Sequence, residues 1–468
     1  MLPDPSLLLP DAVRVRGLLA DAGWSAAALE ELLGPGYREH LDRGERAPLV
    51  RRSAGRSDLA RLARALVVGE PTEGLLPASW TGPDGRALVR LQAVPHGGHE
   101  VVVPHDPGHA RATVAEEQVL GAGAASMTLA AATPRAVVRT TLDLGAGSGV
   151  QALLAEDHSG AVVATDSNPR AVDLSRLGAA LNGIDLEART GDLLEPVAGA
   201  TFDLVVSNPP FVIGPGRRYT YRDAGLEGDE VSRRLVQELP SLLAPGGHAV
   251  LLVNWLHLAG EDGDERVRSW FEGTGCDGWV VQRELAAPED YVTAWLRDTD
   301  ETAFDGLYDA WLDALTGVDA VAFGIVALHR RTDGLPPQVV LDVVDQPVAE
   351  TWGEEVLAHF ARRSVLGPDL LDQRLRLRDD VAMSEVSRRG AEGWSVDARW
   401  LQQEAGLRWN GVLDPYGSSL LAACDGTLPV GVLVELLARS TGLDPADAVA
   451  QITPVISRLV TQGFLVPA

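Results

Sequence analysis

The chain is poor in cysteine and in aromatic residues, and it contains no lysine. Its 468 residues include two cysteines, Cys276 and Cys424, which lie far apart and belong to no metal-ligand spacing. We therefore expect neither a disulfide framework nor a bound metal. Arginine supplies all of the positive charge, and no function follows from that. The 11 tryptophans outnumber both the phenylalanines and the tyrosines, and we expect them in cores and domain interfaces.

Long apolar runs are missing as well. No stretch of about 18 uncharged apolar residues occurs, so no transmembrane helix and no membrane partner are expected. The opening residues, MLPDPSLLLPDAVRVR, lack a charged segment followed by an apolar run, which predicts that there is no signal peptide. These features predict a protein of the reducing cytoplasm.

Positive charge is scarce relative to negative charge. The formal net charge is −26, which favours solubility and opposes non-specific binding to polyanions. One basic cluster stands apart, because seven arginines but only two acids lie between Arg43 and Arg64. This cluster is either a nucleic-acid footprint or the exposed face of a helix, and the sequence leaves both open.

The remaining composition, 46% hydrophobic and 23% charged, is that of a globular protein, and the length predicts several domains. Residues 1–110 read as a mainly helical domain, with Ser25 and Ser57 as helix N-caps and a hairpin of ALVRLQAV and HEVVVPHD. A helical pattern then covers EEQVLGAGAASMTLAAAT. We predict a second domain over 111–332. A third covers 333–468 and resembles a winged-helix module from about residue 410.

Strands and helices alternate through the second domain. Apolar strands separated by helical segments predict an α/β fold with a doubly wound, mainly parallel, Rossmann-like sheet of seven strands. Residues 286–318 read as a helical insertion before the last strand. The seven predicted strands are VVRTTLDLG, AVVATDS, LEARTGD, FDLVVSNPP, GGHAVLLVNW, GWVVQREL and VAFGIVALHRR.

A glycine-rich turn follows the first of these strands. Gly145, Gly147 and Gly149 alternate with Ala146 and Ser148 in a G-x-G-x-G spacing. Glycine permits a tight turn and lets the backbone approach a ligand closely. The spacing differs from the G-x-G-x-x-G fingerprint of dinucleotide sites, and by itself it is also compatible with an ordinary strand-to-helix turn.

Acidic residues follow the first three strands. Asp166 and Ser167 end the second strand, 23 residues after Asp143, and an acid there can accept hydrogen bonds from ribose hydroxyls. Asp192 and Leu193 follow the third strand, where a carboxylate can accept from an adenine amino group. Because the carboxyl ends of parallel strands share one sheet edge, we expect these residues to form a single cofactor site.

The most specific signal is Asn208-Pro209-Pro210-Phe211, at the end of the fourth strand. An amide or aromatic amine nitrogen is a poor nucleophile because its lone pair is delocalised. The Asn208 side-chain oxygen and the Pro209 carbonyl can each accept one N–H and so orient that lone pair. Two prolines stiffen the loop, and Phe211 offers a flat surface for stacking. We therefore predict that these four residues are catalytic.

Together, LDLGAGSG, the acid of the second strand, GDL and VVSNPPF resemble the class I S-adenosylmethionine (SAM)-dependent methyltransferases of the amino-methylating branch. That branch includes adenine-N6 DNA methylases, ribosomal RNA guanine-N2 methyltransferases and the glutamine-N5 methyltransferase of peptide release factors. The resemblance covers about residues 115–331 and implies SAM as the cofactor. The implied cofactor contacts are Asp143 (facing the cationic methionine end), Gly145, Gly147, Ser148, Gly149, Asp166, Ser167, Asp192, Leu193 and Asn208.

The motifs define the reaction type but not the substrate. A phenylalanine after NPP is common in the guanine-N2 enzymes, which favours RNA, whereas the net charge favours a protein or small-molecule acceptor. A segment of arginines and tyrosines follows the motif. It is either part of the substrate entrance, with contacts to phosphate and base, or a solvated loop; its residues are Arg217, Arg218, Tyr219, Tyr221 and Arg222. Our leading hypothesis is methylation of a ribosomal RNA guanine. The alternatives are a glutamine or small-molecule N-methyltransferase and a SAM-binding assembly or regulatory protein without turnover.

Overall fold

The computed structural model describes residues 2–72, 74–108, 117–215, 228–297, 301–363, 365–367, 369–390, 393–413 and 415–468. Contacts between its residues divide the chain into two compact units, residues 1–345 and 346–468. The domain boundaries at residues 110 and 332 stay predictions.

The chain begins with five short helices and a hairpin. The Ser25 hydroxyl oxygen accepts the N–H of Ala28 at 3.1 Å, and the Ser57 hydroxyl oxygen accepts that of Ala60 at 3.2 Å, so both predicted N-caps are confirmed. The elements are α1 (Ala12–Asp21), α2 (Ala26–Leu33), α3 (Tyr37–Asp42), α4 (Arg46–Arg52), α5 (Asp58–Ala63), β1 (Arg90–His96) and β2 (His99–His105).

An eight-stranded sheet follows in the first unit, with helices between most of its strands. Its elements are α6 (Ala124–Ala132), β3 (Val138–Leu144), α7 (Val150–Ala155), β4 (Ser159–Asp166), α8 (Pro169–Asn182), β5 (Glu187–Thr190), β6 (Phe202–Ser207), α9 (Glu230–Glu238), β7 (Leu243–Leu258), α10 (Gly263–Ser269), β8 (Asp277–Ala286), α11 (Pro288–Leu296), α12 (Glu301–Ala314), β9 (Val318–His329) and β10 (Val339–Val343).

The strand order across this sheet is β10-β8-β9-β7-β6-β3-β4-β5. Strands β3 to β7 pair in parallel, and β9 runs antiparallel to both β7 and β8. The predicted fold class, a Rossmann-like α/β domain preceded by helices, is confirmed. The sheet has one strand more than the seven predicted, because β10 adds in parallel to the free edge of β8.

The helical pattern predicted from residue 116 is wrong in its first half. Helix α6 begins only at Ala124, and residues 117–123 are not helical. Gly121 shows the physical reason, since a Cβ atom there would lie 2.7 Å from the Gln92 side-chain oxygen and 2.9 Å from the His105 ring. The segment is pressed against the hairpin β1–β2, and this packing overrides the local helical propensity.

Helix α8 connects β4 to β5 of the sheet and also packs against the N-terminal helices. Its residues Leu174, Leu177 and Leu181 are buried in the same apolar cluster as Val15 of α1 and Leu29 of α2. The Asn182 side chain also accepts the N–H of Val102 and donates to its carbonyl, each at 2.8 Å. One apolar cluster therefore joins the N-terminal helices to α8.

The second unit holds a three-stranded sheet, β15-β11-β16, and an antiparallel ribbon, β12-β13-β14. The ribbon exposes large apolar side chains, including Trp394, Val386 and Val412. From residue 415 three helices and a final strand follow one another, with a short strand after the first helix, and the winged-helix likeness stays a prediction. The elements are α13 (Trp352–Arg363), β11 (Arg374–Leu377), β12 (Val381–Gly390), β13 (Gly393–Gln403), β14 (Asn410–Leu413), α14 (Pro415–Ala423), β15 (Asp425–Pro429), α15 (Val430–Thr441), α16 (Pro445–Thr461) and β16 (Leu465–Pro467).

The described residues contain neither a membrane-spanning helix nor a cluster of metal ligands. None of the helices there combines the length and the apolar character that crossing a bilayer requires. No group of three or more His, Cys, Asp or Glu side chains in the same parts of the chain has the arrangement of a metal site.

Candidate functional site

A cavity of about 730 Å³ opens at the carboxyl ends of β3, β4, β5 and β6. In the sheet, β3 lies between β4 and β6. The strands that follow β3 in the chain, β4 and β5, lie on one side of it, and β6 and β7 lie on the other, so the strand order reverses at β3. Open α/β sheets bind ligands at such a point, and the volume is in the range of small-molecule pockets. All predicted site residues except Gly149 line the cavity: Asp143, Gly145, Gly147, Ser148, Asp166, Ser167, Asp192, Leu193, Asn208, Pro209, Pro210 and Phe211.

The glycine turn presents bare backbone to this cavity. Gly145 and Gly147 have φ angles of 73° and 55°, and a Cβ atom on either would meet no protein atom within 4 Å. The N–H groups of Gly145 and Ala146 both donate to the Thr165 carbonyl, at 2.8 and 2.9 Å. The turn is thus fixed to β4 while its open side faces the space that a ligand would fill.

Gly149 has a different role from the other two glycines. It begins α7 with a φ of 79°, and a Cβ atom there would lie 2.8 Å from the Ser175 hydroxyl and 3.1 Å from the Ser175 Cα. The close approach of α7 to α8 therefore requires a residue without a side chain. The predicted cofactor contact at Gly149 is not among the cavity-lining positions.

Asp166 organises the glycine turn as well as lining the cavity. One carboxylate oxygen accepts the N–H of Gly147 and the other accepts that of Asn168, each at 2.8 Å. Burial raises the pKa of Asp166, and these two N–H groups oppose the rise. Because a carboxylate oxygen has more than one acceptor site, each keeps capacity for a ribose hydroxyl.

Asp143 lies deeper, with 1% of its surface exposed. One carboxylate oxygen accepts the N–H of Ala152 at 2.9 Å. Burial raises the pKa of Asp143 to about 7, the Ala152 N–H opposes this, and the charge of Asp166 adds to it. A cation in the cavity would favour the ionised carboxylate, so this position fits the cationic end of the predicted cofactor.

The turn after β5 completes this side of the cavity. The Gly191 N–H donates to the Asp166 carbonyl at 3.0 Å, and a Cβ atom on Gly191 would lie 2.5 Å from the Pro196 ring. Leu193 has a φ of 44°, a left-handed conformation that an ordinary side chain adopts at a cost of about 1–2 kcal/mol. Such strain is typical of positions that a binding site holds in place.

The motif after β6 lines the same cavity as the glycine turn. The Ser207 hydroxyl donates to the Leu144 carbonyl at 2.8 Å and so ties the start of the motif to β3. Asn208 is half-buried and lines the cavity together with Pro209. The Phe211 ring packs on Phe323, with centroids 5.5 Å apart.

Sequence reasoning missed the wall formed by residues 118–123. The Gln92 side chain of β1 accepts the N–H of Ala122 at 3.0 Å and donates to its carbonyl at 2.9 Å. The Val119 N–H donates to Asp106, which also forms a buried ion pair with Arg170. The N-terminal hairpin therefore supports one side of the cavity. The glycines of GAG at 121–123 are the signal in the sequence for this break in the helical pattern.

Trp295 is a second residue whose place was not predicted. Trp311 of the same insertion is buried, as expected of a core tryptophan, but Trp295 is half-buried and lines the cavity. His248 and His257 do not line it; the His248 ring stacks on His329 at 4.3 Å. Burial lowers the pKa of His248 to about 3, in keeping with a structural role.

The structure describes only one of the two basic segments that could contact nucleic acid. The segment with Arg217, Arg218, Tyr219, Tyr221 and Arg222 lies outside the described residues. In the N-terminal cluster, four arginines contact acids or carbonyls of their own unit, which favours a structural role for those four. These contacts are Arg43 with Glu45, Arg46 with Val68 and Glu70, Arg52 with Leu33, and Arg61 with Asp58.

The sheet order, the glycine turn at the strand reversal and the neighbouring Asn-Pro-Pro-Phe motif together define a Rossmann-like methyltransferase domain, a class of enzyme whose methyl donor is SAM. A family model described as methyltransferase small domain matches residues 121–261. This part of the chain is therefore similar to that family, and the predicted class, a SAM-dependent methyltransferase, is confirmed. Two models described as domains of unknown function match residues 21–104 and 357–467.

Curated relatives match only part of the chain. The release factor glutamine methyltransferase of Deinococcus radiodurans is 38% identical over 122 residues, which are 24% of this chain and 44% of that protein. The ribosomal RNA small subunit methyltransferase C of Alcanivorax borkumensis is 34% identical over 113 residues, 24% of this chain and 31% of that protein. The chain thus spans less than half the length of either relative.

A solved T. thermophilus 16S rRNA N2 methyltransferase, in complex with AdoMet and guanosine, is 23% identical. The match covers 42% of this chain and 48% of that one, with a TM-score of 0.31. At that TM-score the likeness supports no further conclusion.

Proposed function

We propose that the chain is a SAM-dependent N-methyltransferase that methylates an exocyclic NH2 of a nucleobase in RNA, with guanine N2 as the leading acceptor. One observation carries the proposal: the glycine turn with its two acids and the Asn-Pro-Pro-Phe motif line a single cavity. A methyl donor and an NH2 group bound at these two places would meet in that cavity.

The residues around the glycine turn suit SAM. Gly145 and Gly147 allow close approach to bare backbone, Asp166 offers acceptors to ribose hydroxyls, and Asp192 offers one to an adenine amino group. Asp143 balances the charge of the methionine end. Bound SAM supplies an electrophilic methyl group on a sulfonium.

Asn208 and Pro209 orient the acceptor. Each oxygen accepts one N–H of the NH2 group, so the nitrogen lone pair points at the methyl group rather than into the conjugated plane. Gly145, Gly147 and Asp166 would hold the cofactor, whose sulfonium would supply the methyl group to this lone pair and keep the electron pair of the S–C bond. The methylated nitrogen then loses one proton to water, so a strong general base is not required.

A protein glutamine is the second candidate acceptor. The net charge of −26 disfavours a phosphate backbone except at a local basic patch. Several curated relatives, such as that of Deinococcus radiodurans, are named glutamine methyltransferases. The same Asn208 and Pro209 oxygens would hold a glutamine NH2 equally well.

Transfer of labelled methyl groups distinguishes these acceptors. The purified chain is incubated with radiolabelled SAM and a lysate of a strain lacking the protein, and the products are digested with RNase or protease. Label lost with RNase supports the RNA proposal, and label lost only with protease moves the acceptor to protein. Label in neither polymer contradicts both. The Asn208→Ala variant, assayed in parallel, reports background labelling.

A further inference from the structure

The helical insertion α11–α12 forms an apolar cluster with the end of the loop that follows β6, residues 208–213 (the motif loop). Val212 and Ile213, which follow Phe211, are buried against Val292 and Leu296 of α11. The loop and the helix therefore share a core, and the position of one fixes the position of the other.

Tyr291 adds a directional link between the same elements. Its hydroxyl is buried and accepts the N–H of Ile213 at 2.9 Å and the side-chain N–H of Asn254 at 3.1 Å. Asn254 lies in β7, so three elements meet at one oxygen. Removing that oxygen would leave two buried donors unpaired, which is unfavourable away from water. Tyr291 thus positions α11 against the motif loop.

Trp295 lies one helical turn after Tyr291, on the same face of α11. The two rings are 6.2 Å apart and tilted by 60°. Trp295 is half-buried and lines the cavity together with Asn208, Pro209 and Phe211. Because the Phe211 ring already packs on Phe323, the indole supplies a further flat surface at the acceptor end.

Resting on the proposed function, we propose that Trp295 is a specificity residue that stacks on the plane of a nucleobase acceptor, and that Tyr291 positions it. A fused purine ring covers much of an indole face, whereas the amide group of a glutamine covers a small part of it. Base–aromatic stacking strengthens binding by about tenfold or more per base. An indole that lines the same cavity as Asn208, on a helix positioned by the Tyr291 hydroxyl, therefore fits a nucleobase better than a glutamine side chain.

The test compares Trp295→Leu, which keeps apolar bulk but loses the flat ring, with Trp295→Phe, which keeps a ring. RNA from a strain lacking the protein and a matched protein fraction serve as acceptors. We expect Trp295→Leu to raise KM for RNA by about tenfold or more. Trp295→Phe should stay within about threefold of the unmodified chain, and the dissociation constant for SAM should be unchanged in both.

The outcomes separate this proposal from the one on which it rests. If the unmodified chain methylates RNA and Trp295→Leu has the same KM, the role of Trp295 is wrong and the proposed function stands. If the label enters the protein fraction, or neither fraction, both proposals are wrong.

A binding measurement covers the case in which Trp295→Leu does not fold. Guanosine monophosphate should quench tryptophan emission of the unmodified chain more than that of Trp295→Phe, at similar affinity. Equal quenching would contradict stacking on Trp295. A Tyr291→Phe variant should lower turnover on RNA several-fold with SAM affinity unchanged; full turnover would remove Tyr291 from positioning.

Discussion

The two ends of the cavity are built in different ways. The cofactor end consists of short segments directly after β3, β4 and β5, held by backbone hydrogen bonds to Thr165 and Asp166. The acceptor end combines the loop after β6 with Tyr291 and Trp295, which come about eighty residues later in the chain. In the proposed function, backbone geometry forms the part that binds SAM, and side chains from a separate insertion form the part that selects the substrate. The predictions below alter one end at a time.

Asn208→Ala should give the largest effect and should act on the acceptor end alone. Removing the oxygen that orients the NH2 group is expected to lower turnover by at least about tenfold and on the order of a hundredfold, roughly 2.7 kcal/mol of barrier. SAM affinity, measured by calorimetry, should stay within about twofold. Unchanged turnover would remove Asn208 from the mechanism.

Gly149→Ala should lower the stability of the first unit, which carries both ends of the cavity. The left-handed φ and the contact with Ser175 should together destabilise the first unit by about 2 kcal/mol, seen as a lower unfolding temperature. Gly145→Ala is the matched control, since its Cβ atom would enter open space. It should lower stability less but weaken SAM binding more. Equal effects of the two variants would contradict the distinct roles of these glycines.

Asp166→Ala should act on the cofactor end alone. The variant loses the acceptors for the ribose hydroxyls and the hydrogen bond that the Gly147 N–H donates to Asp166. SAM binding should therefore weaken by about tenfold, roughly 1.4 kcal/mol. Turnover at saturating SAM should change little, the opposite of the pattern for Asn208→Ala. Asp166→Asn, which keeps one oxygen, should fall between. Unchanged affinity of Asp166→Ala would refute the placement of the ribose.

Asp143 should give the smallest effect, visible as a dependence on pH. The pKa of Asp143, about 7, lies above its ordinary value of 3.8. The contribution of the neutral side chain to the free energy of unfolding is therefore complete below about pH 3.8 and is lost as the pH rises through about 7. A bound cation favours the carboxylate, so SAM binding should release part of a proton near pH 6.5 and strengthen by a fewfold toward pH 7.5.

Calorimetry in two buffers of different ionisation enthalpy measures that proton. Asp143→Asn is the control, because the amino group of SAM can itself titrate in this range. The variant should show less proton release and a flatter pH profile. The same release from Asp143→Asn and from the unmodified chain would show that Asp143 is not the group that titrates.

The sequence predicted the residues at the strand ends better than the residues of the insertion α11–α12, for a physical reason. Glycines, acids and the Asn-Pro-Pro-Phe motif stand directly at strand ends, and a parallel sheet brings those ends together wherever the helices lie. The place of Trp295 depends on how α11 packs against β7 and the motif loop, and local sequence carries no such information. The segment 117–123 was misread for a related reason, since close packing of Gly121 against Gln92 decided its conformation. The roles of the individual site residues remain predictions.

Strand β10 determines where the first unit can be cut. It pairs with β8 over five residues, from Val339 with Gly278 to Val343 with Gln282, and the buried Trp279 indole donates to Asp342 at 2.9 Å. A chain ending at residue 332 would leave a row of unpaired N–H and C=O groups along β8, next to buried valines. Such an open edge recruits strands from other molecules and leads to aggregation. A chain ending at residue 345 keeps that edge capped.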